Sequence, residues 1–169
     1  MPKEIDLTIF DDSGLLSLVD CSAYISFLSE NWDYEGIVAH FRDQMARRSI
    51  LVWECGDGGG SYLVKLRDHI TSEIGYREVI GCIEATTDRL HLVSYDALTM
   101  AAQFEDEDLP SKHEQELSIP VVPGQYIVRV VQMYDPSKVG VAHEGRPHFL
   151  VEVSRGQSES WSNVAWLSA

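Results

Sequence analysis

The segment that decides the fold class is residues 125–134, Gln-Tyr-Ile-Val-Arg-Val-Val-Gln-Met-Tyr. Its β-branched and aromatic residues favour extended backbone. Its side chains divide between two faces with a period of two residues, as they do along a strand. Pro123 and Gly124 precede it and are typical of a turn. The pattern therefore predicts a long β-strand that begins just after this turn.

Further strands are predicted on both sides of residues 125–134. Short apolar or alternating runs bounded by turn residues indicate strands at 4–10, 15–19, 49–54, 62–66, 77–86, 89–95, 117–120 and 147–153. Consecutive strands joined by short turns favour antiparallel pairing. We expect two hairpins, one joining 49–54 to 62–66 and one joining 77–86 to 89–95.

One long helix is predicted at residues 31–48, with Asp33 as its cap. Four apolar residues in it fall on one face of a 3.6-residue repeat: Ile37, Val38, Phe41 and Met45. Residues 96–103 are compatible with a second, short helix. The fold class expected is α+β and mainly antiparallel β. It would be a β-sandwich or a strongly curved sheet with one long helix packed on it. No repeat or linker interrupts the chain, so residues 1–169 are expected to form a single domain.

The chain is strongly acidic, with 13 Lys and Arg residues against 27 Asp and Glu residues and a net charge of −14. Most of this charge lies in residues 1–35 (net −7) and 105–116 (net −5). Such a field repels nucleic acid and anionic membranes and attracts basic proteins or cations. The basic residues Arg42, Arg47 and Arg48 form the one basic cluster, at a predicted helix end. We therefore expect neither nucleic acid nor membrane as a partner.

A reducing compartment, and hence a cytoplasmic location, is expected from the cysteines and the first residues. The three cysteines, Cys21, Cys55 and Cys82, are widely spaced and include no C-x-x-C pair. Each has an apolar residue within two positions, which favours a buried structural role. The first residues lack the basic start and apolar run of a signal peptide. The chain also holds no apolar run of about 18 residues, the length that a transmembrane helix needs.

Motifs for common catalytic or metal chemistry are incomplete. Residues 56–60 are glycine-rich, but no Lys follows and the next residues alternate as a strand does, which argues against a phosphate loop. His143 and His148 are five residues apart with Gly145 and Pro147 between them, which does not fit a helical zinc motif. No G-x-S-x-G elbow occurs. We expect no metal, no cofactor and no catalytic residues, and a non-enzymatic role is favoured over an enzymatic one.

The acidic run Glu105-Asp106-Glu107-Asp108 is the clearest candidate binding feature. Three interpretations are open: a solvated surface, a contact for a basic partner, or a cation site. The EF-hand pattern, with its Gly at the sixth position and Glu at the twelfth, is absent.

One stretch of the chain resembles a known family. It runs from Val79-Ile80-Gly81-Cys82-Ile83 through Leu90-His91-Leu92-Val93-Ser94 and Leu117-Ser118-Ile119-Pro120 to Val122-Pro123-Gly124-Gln125-Tyr126-Ile127-Val128. This layout, with a Pro-Gly-x-Tyr turn entering a long strand, is similar to that of the bacterial competence protein J family. That resemblance implies a small acidic β-sandwich protein that inhibits a partner nuclease. Under this hypothesis the contacts expected are Glu105, Asp106, Glu107 and Asp108, together with Asp11 and Asp12.

Two other functions stay open at this point. The protein could be a small enzyme or a small-molecule-binding β-sandwich with a cleft near the hairpin loops. It could also be a structural subunit that self-associates through an exposed edge strand.

Overall fold

The computed structural model describes residues 3–138 and 146–167. In these residues the helices and strands follow one another in the order β1 (Glu4–Asp11), β2 (Leu15–Val19), α1 (Tyr34–Ala46), β3 (Ile50–Glu54), β4 (Gly60–Arg67), β5 (Arg77–Ala85), β6 (Arg89–Ser94), α2 (Tyr95–Gln103), β7 (Ser118–Pro120), β8 (Gly124–Gln132) and β9 (Phe149–Arg155). The predicted strand positions are confirmed, with small differences at their ends.

The strands form two sheets. The five-stranded sheet has the order β1-β4-β9-β8-β5, and the four-stranded sheet has the order β3-β2-β6-β7. Pairing is antiparallel throughout except between β4 and β9, which run parallel. The prediction of mainly antiparallel β structure is therefore confirmed.

The two predicted hairpins are wrong. β3 pairs with β2 in the four-stranded sheet, whereas β4 pairs with β1 in the five-stranded sheet. β5 and β6 likewise separate, since β5 pairs with β8 and β6 pairs with β2 and β7. The loop at residues 56–60 therefore carries the chain from one sheet to the other. The pairing of a strand depends on which apolar face it buries in the folded protein. The two-residue alternation of its side chains indicates that a segment is a strand, but it does not identify the neighbouring strand.

The prediction of one long helix is also wrong, because the described residues hold two shorter helices. α1 ends at Ala46, and Arg48 has a positive φ of 62°, a conformation that stops a right-handed helix. Asp33 is confirmed as the cap of α1: its Oδ1 accepts the Gly36 N–H at 2.7 Å. α2 is the second, short helix, capped by Ser94, whose hydroxyl accepts the Ala97 N–H. Neither helix is long and apolar enough to cross a membrane.

The main core takes side chains from both sheets and both helices. Its largest fully buried members include Phe41 of α1, Trp53 of β3, Tyr62 of β4 and Phe149 of β9. Cys55 and Cys82 are buried free cysteines, in line with the structural role predicted for them, whereas Cys21 is partly buried against the core.

The segment after β9 packs against the edges of both sheets. The Trp161 indole N–H donates to the Ile80 carbonyl on β5 at 2.9 Å. Ala165 forms a bridge beside Trp53 on β3. Burial of large aromatic groups together with these hydrogen bonds fixes the tail on the body of the protein.

A strap, residues 68–76, crosses the outer face of the five-stranded sheet from β4 to β5. Beneath it lie Arg67, Arg129 and Glu152, all buried and on adjacent strands. Glu152 accepts from both arginines at 2.8 Å and from the Thr71 N–H at 3.1 Å. This buried ion network therefore holds the strap to the sheet.

Candidate partner-binding site

An open groove lies where β1, α2 and the segment 107–117 come together. Its volume is about 540 Å³. The carboxylate-bearing residues in its lining are Asp96, Glu107, Asp108 and Glu114. We call this feature the acidic groove. It brings together two acids of the predicted run, Glu107 and Asp108, and two acids that the sequence did not single out.

The acidic run 105–108 forms the exposed turn that follows α2. All four residues are exposed, and the turn is closed by the Glu107 N–H donating to the Phe104 carbonyl at 3.1 Å. Glu107 and Asp108 line the groove, whereas Glu105 and Asp106 lie outside its lining. The structure thus places half of the predicted run directly at the groove.

Asp11 is not a surface contact, contrary to the prediction. Its side chain is buried, and its Oδ2 accepts the N–H groups of Ser13 and Leu15, each at 3.0 Å. Its Oδ1 accepts the Asp96 N–H at 3.0 Å. Burial raises the pKa of Asp11 above its ordinary value. The carboxylate therefore ties the β1–β2 turn to the start of α2, because a carboxylate in this position satisfies several backbone donors at once.

Asp12, by contrast, is exposed. Its N–H donates to the Asp96 carboxylate at 3.1 Å, so Asp12 lies next to one of the groove residues. The β1–β2 turn and the start of α2 therefore exchange hydrogen bonds in both directions. Of the six predicted contacts, five are exposed, and Glu107, Asp108 and Asp12 lie in or beside the groove.

Glu114 is the one nearly buried carboxylate of the groove, with 7% of its surface exposed. It accepts the Ser94 N–H at 3.2 Å. Burial raises the pKa of Glu114. Its proton is therefore retained to a higher pH than that of an exposed carboxyl, and a nearby cation would stabilise its charged form.

Two large apolar side chains are exposed at the groove. Phe10 on β1 is 56% exposed and Met100 on α2 is 47% exposed, and both line the groove. Aromatic residues and methionine are enriched in protein interfaces, where charged residues occupy the rim. The groove therefore combines exposed apolar side chains with four carboxylates in one lining.

Four residues of the groove carry little local sequence signal of a site: Asp96, Glu114, Phe10 and Met100. Asp96 could have been found as an acidic residue in the first turn of the short helix predicted at 96–103. Phe10 follows from the alternation of residues 4–10, which places it opposite the core-facing Ile9. Glu114 lies in irregular structure, and no local pattern places it beside α2.

The other sequence motifs do not form a chemical site in the described part of the chain. No group of three or more His, Cys, Asp or Glu residues is placed to hold a metal ion among these residues. His143, Glu144 and Gly145 lie outside the described residues. In the loop at 56–60, Gly59 packs against the carbonyl of Asp12 in a backbone conformation with φ of +120°. The absence of a side chain at Gly59 allows the loop at 56–60 to lie close to the β1–β2 turn.

Comparisons with known proteins bear on this geometry. The fold is similar to that of a solved structure described as "Crocagin biosynthetic gene J", with a TM-score of 0.63 and 12% identity over 93% of this chain and 99% of that one. It is also similar to ComJ from Bacillus subtilis, described as an inhibitor of the DNA degrading activity of NucA. The TM-score there is 0.52, with 11% identity over 92% of this chain and 99% of ComJ.

No protein-family model and no curated protein sequence matches the chain. The resemblance to the competence protein J family that the sequence indicated is confirmed in the fold. At 11–12% identity, these likenesses concern the fold alone.

Proposed function

We propose that this protein is a non-enzymatic acidic binding protein that inhibits or neutralises a basic protein partner, such as a nuclease. The acidic groove and the run 105–108 form the contact. The observation that carries this proposal is the convergence of four carboxylates and two exposed apolar side chains on one open groove. A cytoplasmic location in a bacterium and a β-sandwich arrangement of the two sheets are parts of the same proposal.

The electrostatics of the groove supports a basic partner. Proteins that bind a polyanion such as DNA carry a basic surface. An acidic protein can occupy that surface with carboxylates in place of phosphates. A net charge of −14 also accelerates the encounter with such a partner at low salt. Phe10 and Met100 would supply the desolvated centre of the contact, where most binding energy resides.

The fold supports the proposal by analogy. ComJ, which shares the fold over 92% of this chain, is described as an inhibitor of a DNA-degrading activity. A fold alone does not determine function, so the groove residues carry the argument.

The test begins with capture of the partner. The tagged protein is used to isolate partners from its native cell at low salt, and bound proteins are released at high salt and identified by mass spectrometry. We expect a stoichiometric basic protein that salt releases, because screened ion pairs weaken as ionic strength rises. Recovery of the bait alone from cells that express basic nucleases would contradict the proposal.

The second stage tests the acidic run with that captured protein. The variant E105Q/D106N/E107Q/D108N removes four charges from the run. The control E30Q/E35Q/D43N/E159Q removes four charges from exposed residues outside the groove lining. We expect the first variant to associate about tenfold more slowly at low salt and with a flatter salt dependence, and the control to change much less, because steering depends on charges near the contact. Equal effects of both variants would show that only net charge matters.

A small cationic ligand is the second candidate for the groove. Its volume of about 540 Å³ lies in the range of small-molecule sites. Under this second proposal the ligand would lie between β1 and α2 and not at hairpin loops. A rise in melting temperature with a polyamine, abolished by Asp108→Asn and Glu114→Gln together, would favour this candidate over a protein partner.

A further inference from the structure

The edge of the five-stranded sheet at β1 has a row of backbone groups that point away from the sheet. The Asp68 N–H donates to the Lys3 carbonyl at 3.2 Å, which fixes the alternation of the antiparallel ladder. Ile5, Leu7 and Ile9 therefore bond to β4. The intervening residues, Glu4, Asp6, Thr8 and Phe10, turn their N–H and C=O groups outward.

The neighbouring strand confirms this alternation. Leu63 lies opposite Thr8 on β4. It uses its backbone on the side away from β1: its N–H donates to His148 Nδ1 at 2.9 Å, and its carbonyl accepts the His148 N–H at 2.8 Å. Thr8 and Leu63 thus form a pair without mutual hydrogen bonds. Among the described residues, none hydrogen bonds to the outward groups of Asp6, Thr8 or Phe10.

The three other edges formed by the described strands are short or covered. On β5, the Ile80 carbonyl accepts from Trp161 and the Glu84 N–H donates to the Arg48 carbonyl at 2.8 Å. On β3, Ala165 bonds to the backbone of Val52 and Glu54. β7 is three residues long and ends in proline. Native proteins usually protect long edges in these ways. β1 is eight residues long, and its outward groups at Asp6, Thr8 and Phe10 are open to a further strand.

The acidic groove indicates which occupant fits the open edge. Thr8, Ile9 and Phe10 belong both to β1 and to the lining of the groove. A strand added to β1 would therefore run beside the carboxylates of Glu107 and Asp108. A second copy of β1 would add its own acids, Glu4 and Asp6, beside a groove that already carries Glu107 and Asp108, and charges of like sign repel. A segment rich in Lys or Arg would gain from the same charges.

We propose that β1 binds an extended basic segment of the partner as an additional strand, while Lys or Arg side chains of that segment lie in the acidic groove. This inference rests on the proposed function and specifies its binding mode. Backbone hydrogen bonds along the edge provide affinity, and the pockets beside the strand provide specificity.

The experiment uses Thr8→Pro, with Thr8→Ala as the matched control. Proline removes the outward N–H without breaking a ladder bond to β4, and edge strands tolerate proline where the N–H faces solvent. Alanine removes the same side chain but keeps the N–H. The probe is a short peptide of alternating lysine and valine. A second probe is the same peptide N-methylated at every residue, which has the same side chains and charge but no backbone donors.

We expect the alternating peptide to slow amide hydrogen exchange at Asp6, Thr8 and Phe10. We also expect T8P to bind it at least about tenfold more weakly than T8A, since a hydrogen bond and the close strand approach are both lost. The N-methylated peptide should lose affinity for the unaltered protein by a similar factor. This comparison of the two peptides uses the unaltered protein, so it tests strand addition even if T8P fails to fold.

Other outcomes separate the binding mode from the proposed function. Equal affinity of T8P and T8A, or of both peptides, would overturn strand addition. In that case, weaker binding of the captured partner by the variant E105Q/D106N/E107Q/D108N would still support the proposed function. The absence of peptide binding at about 1 mM would overturn the inference. If the protein self-associates and T8P abolishes that self-association, the inference would also be overturned, because the edge would then bind a second copy of the chain.

Discussion

The buried carboxylate Glu152 provides a test of the ion network under the strap. Its side chain has no exposed surface. Its Oε2 accepts from Arg67 at 2.8 Å and from the Thr71 hydroxyl at 2.6 Å, and its Oε1 accepts from Arg129 at 2.8 Å. The substitution Glu152→Gln keeps the size of the side chain and removes the charge between the two arginines.

The expected loss of stability follows from these contacts. Breaking a buried ion pair by removing one partner costs about 3–5 kcal/mol. Here Arg67 keeps Glu4 and Glu73 as partners, and Arg129 keeps Glu78. We therefore expect the lower end, about 3 kcal/mol. For a chain of this size, that corresponds to a fall in Tm of about 6–12 °C.

The assay is urea unfolding near neutral pH, followed by circular dichroism, with Glu78→Gln as the control. Glu78 also pairs with Arg129, but its side chain is 45% exposed, so its loss should cost less than about 1 kcal/mol. A loss of less than about 1 kcal/mol in E152Q would refute the view that the network needs this charge.

The pH dependence gives a second check. Burial acts to raise the pKa of Glu152, but hydrogen bonds from Thr71, Arg67 and Arg129 outweigh it, so this pKa lies below its ordinary value. A carboxyl with a depressed folded-state pKa stabilises the protein above its unfolded-state pKa, and this stabilisation is lost as pH falls through the folded-state value. The stability difference between the wild type and E152Q should therefore shrink in acid.

Three further predictions concern the loops, the tail and the thiols. Gly59→Ala should destabilise the protein by at least about 2 kcal/mol in urea unfolding, because its Cβ would collide with the Asp12 carbonyl at a φ of +120°; an unchanged midpoint would contradict this. Trp161→Phe should cost about 1 kcal/mol in the same assay through loss of the hydrogen bond to the Ile80 carbonyl, whereas an unchanged stability would show that the tail docks by packing alone. Cys55 is buried and burial raises its pKa, so native protein should resist alkylation by iodoacetamide at this thiol, as read by peptide mass mapping; rapid labelling without unfolding would contradict its burial.

The strands could be predicted from sequence because their pattern is local. The two-residue period of segments such as 4–10 and 125–134 follows directly from side-chain alternation in extended backbone. The partners of these strands could not be predicted, since β3 and β4 are close in sequence and yet belong to different sheets. The β-sandwich arrangement stays a prediction, supported by a core to which both sheets contribute.

The candidate site was predictable only in part, because it also depends on contacts between residues far apart in sequence. Asp11 and Asp12 are adjacent and chemically alike, and their sequence context does not distinguish the buried one from the exposed one. That difference comes from the hydrogen bond between Asp11 and Asp96, residues far apart in sequence. The run 105–108 was predictable as surface because four consecutive acids are rarely buried. Its neighbour Glu114 joins the groove through Ser94, again a tertiary contact.

The central position of β9 has a consequence for synthesis on the ribosome. β9 lies between β4 and β8 in the five-stranded sheet, yet it is the last of the five to be translated. Until it emerges, the nascent chain can hold β1 with β4 and β5 with β8 only as two unconnected pairs. Such unpaired strand edges are prone to aggregation. The final assembly of this sheet must therefore wait for its middle strand, and the facing edges of the two pairs stay open until β9 is available.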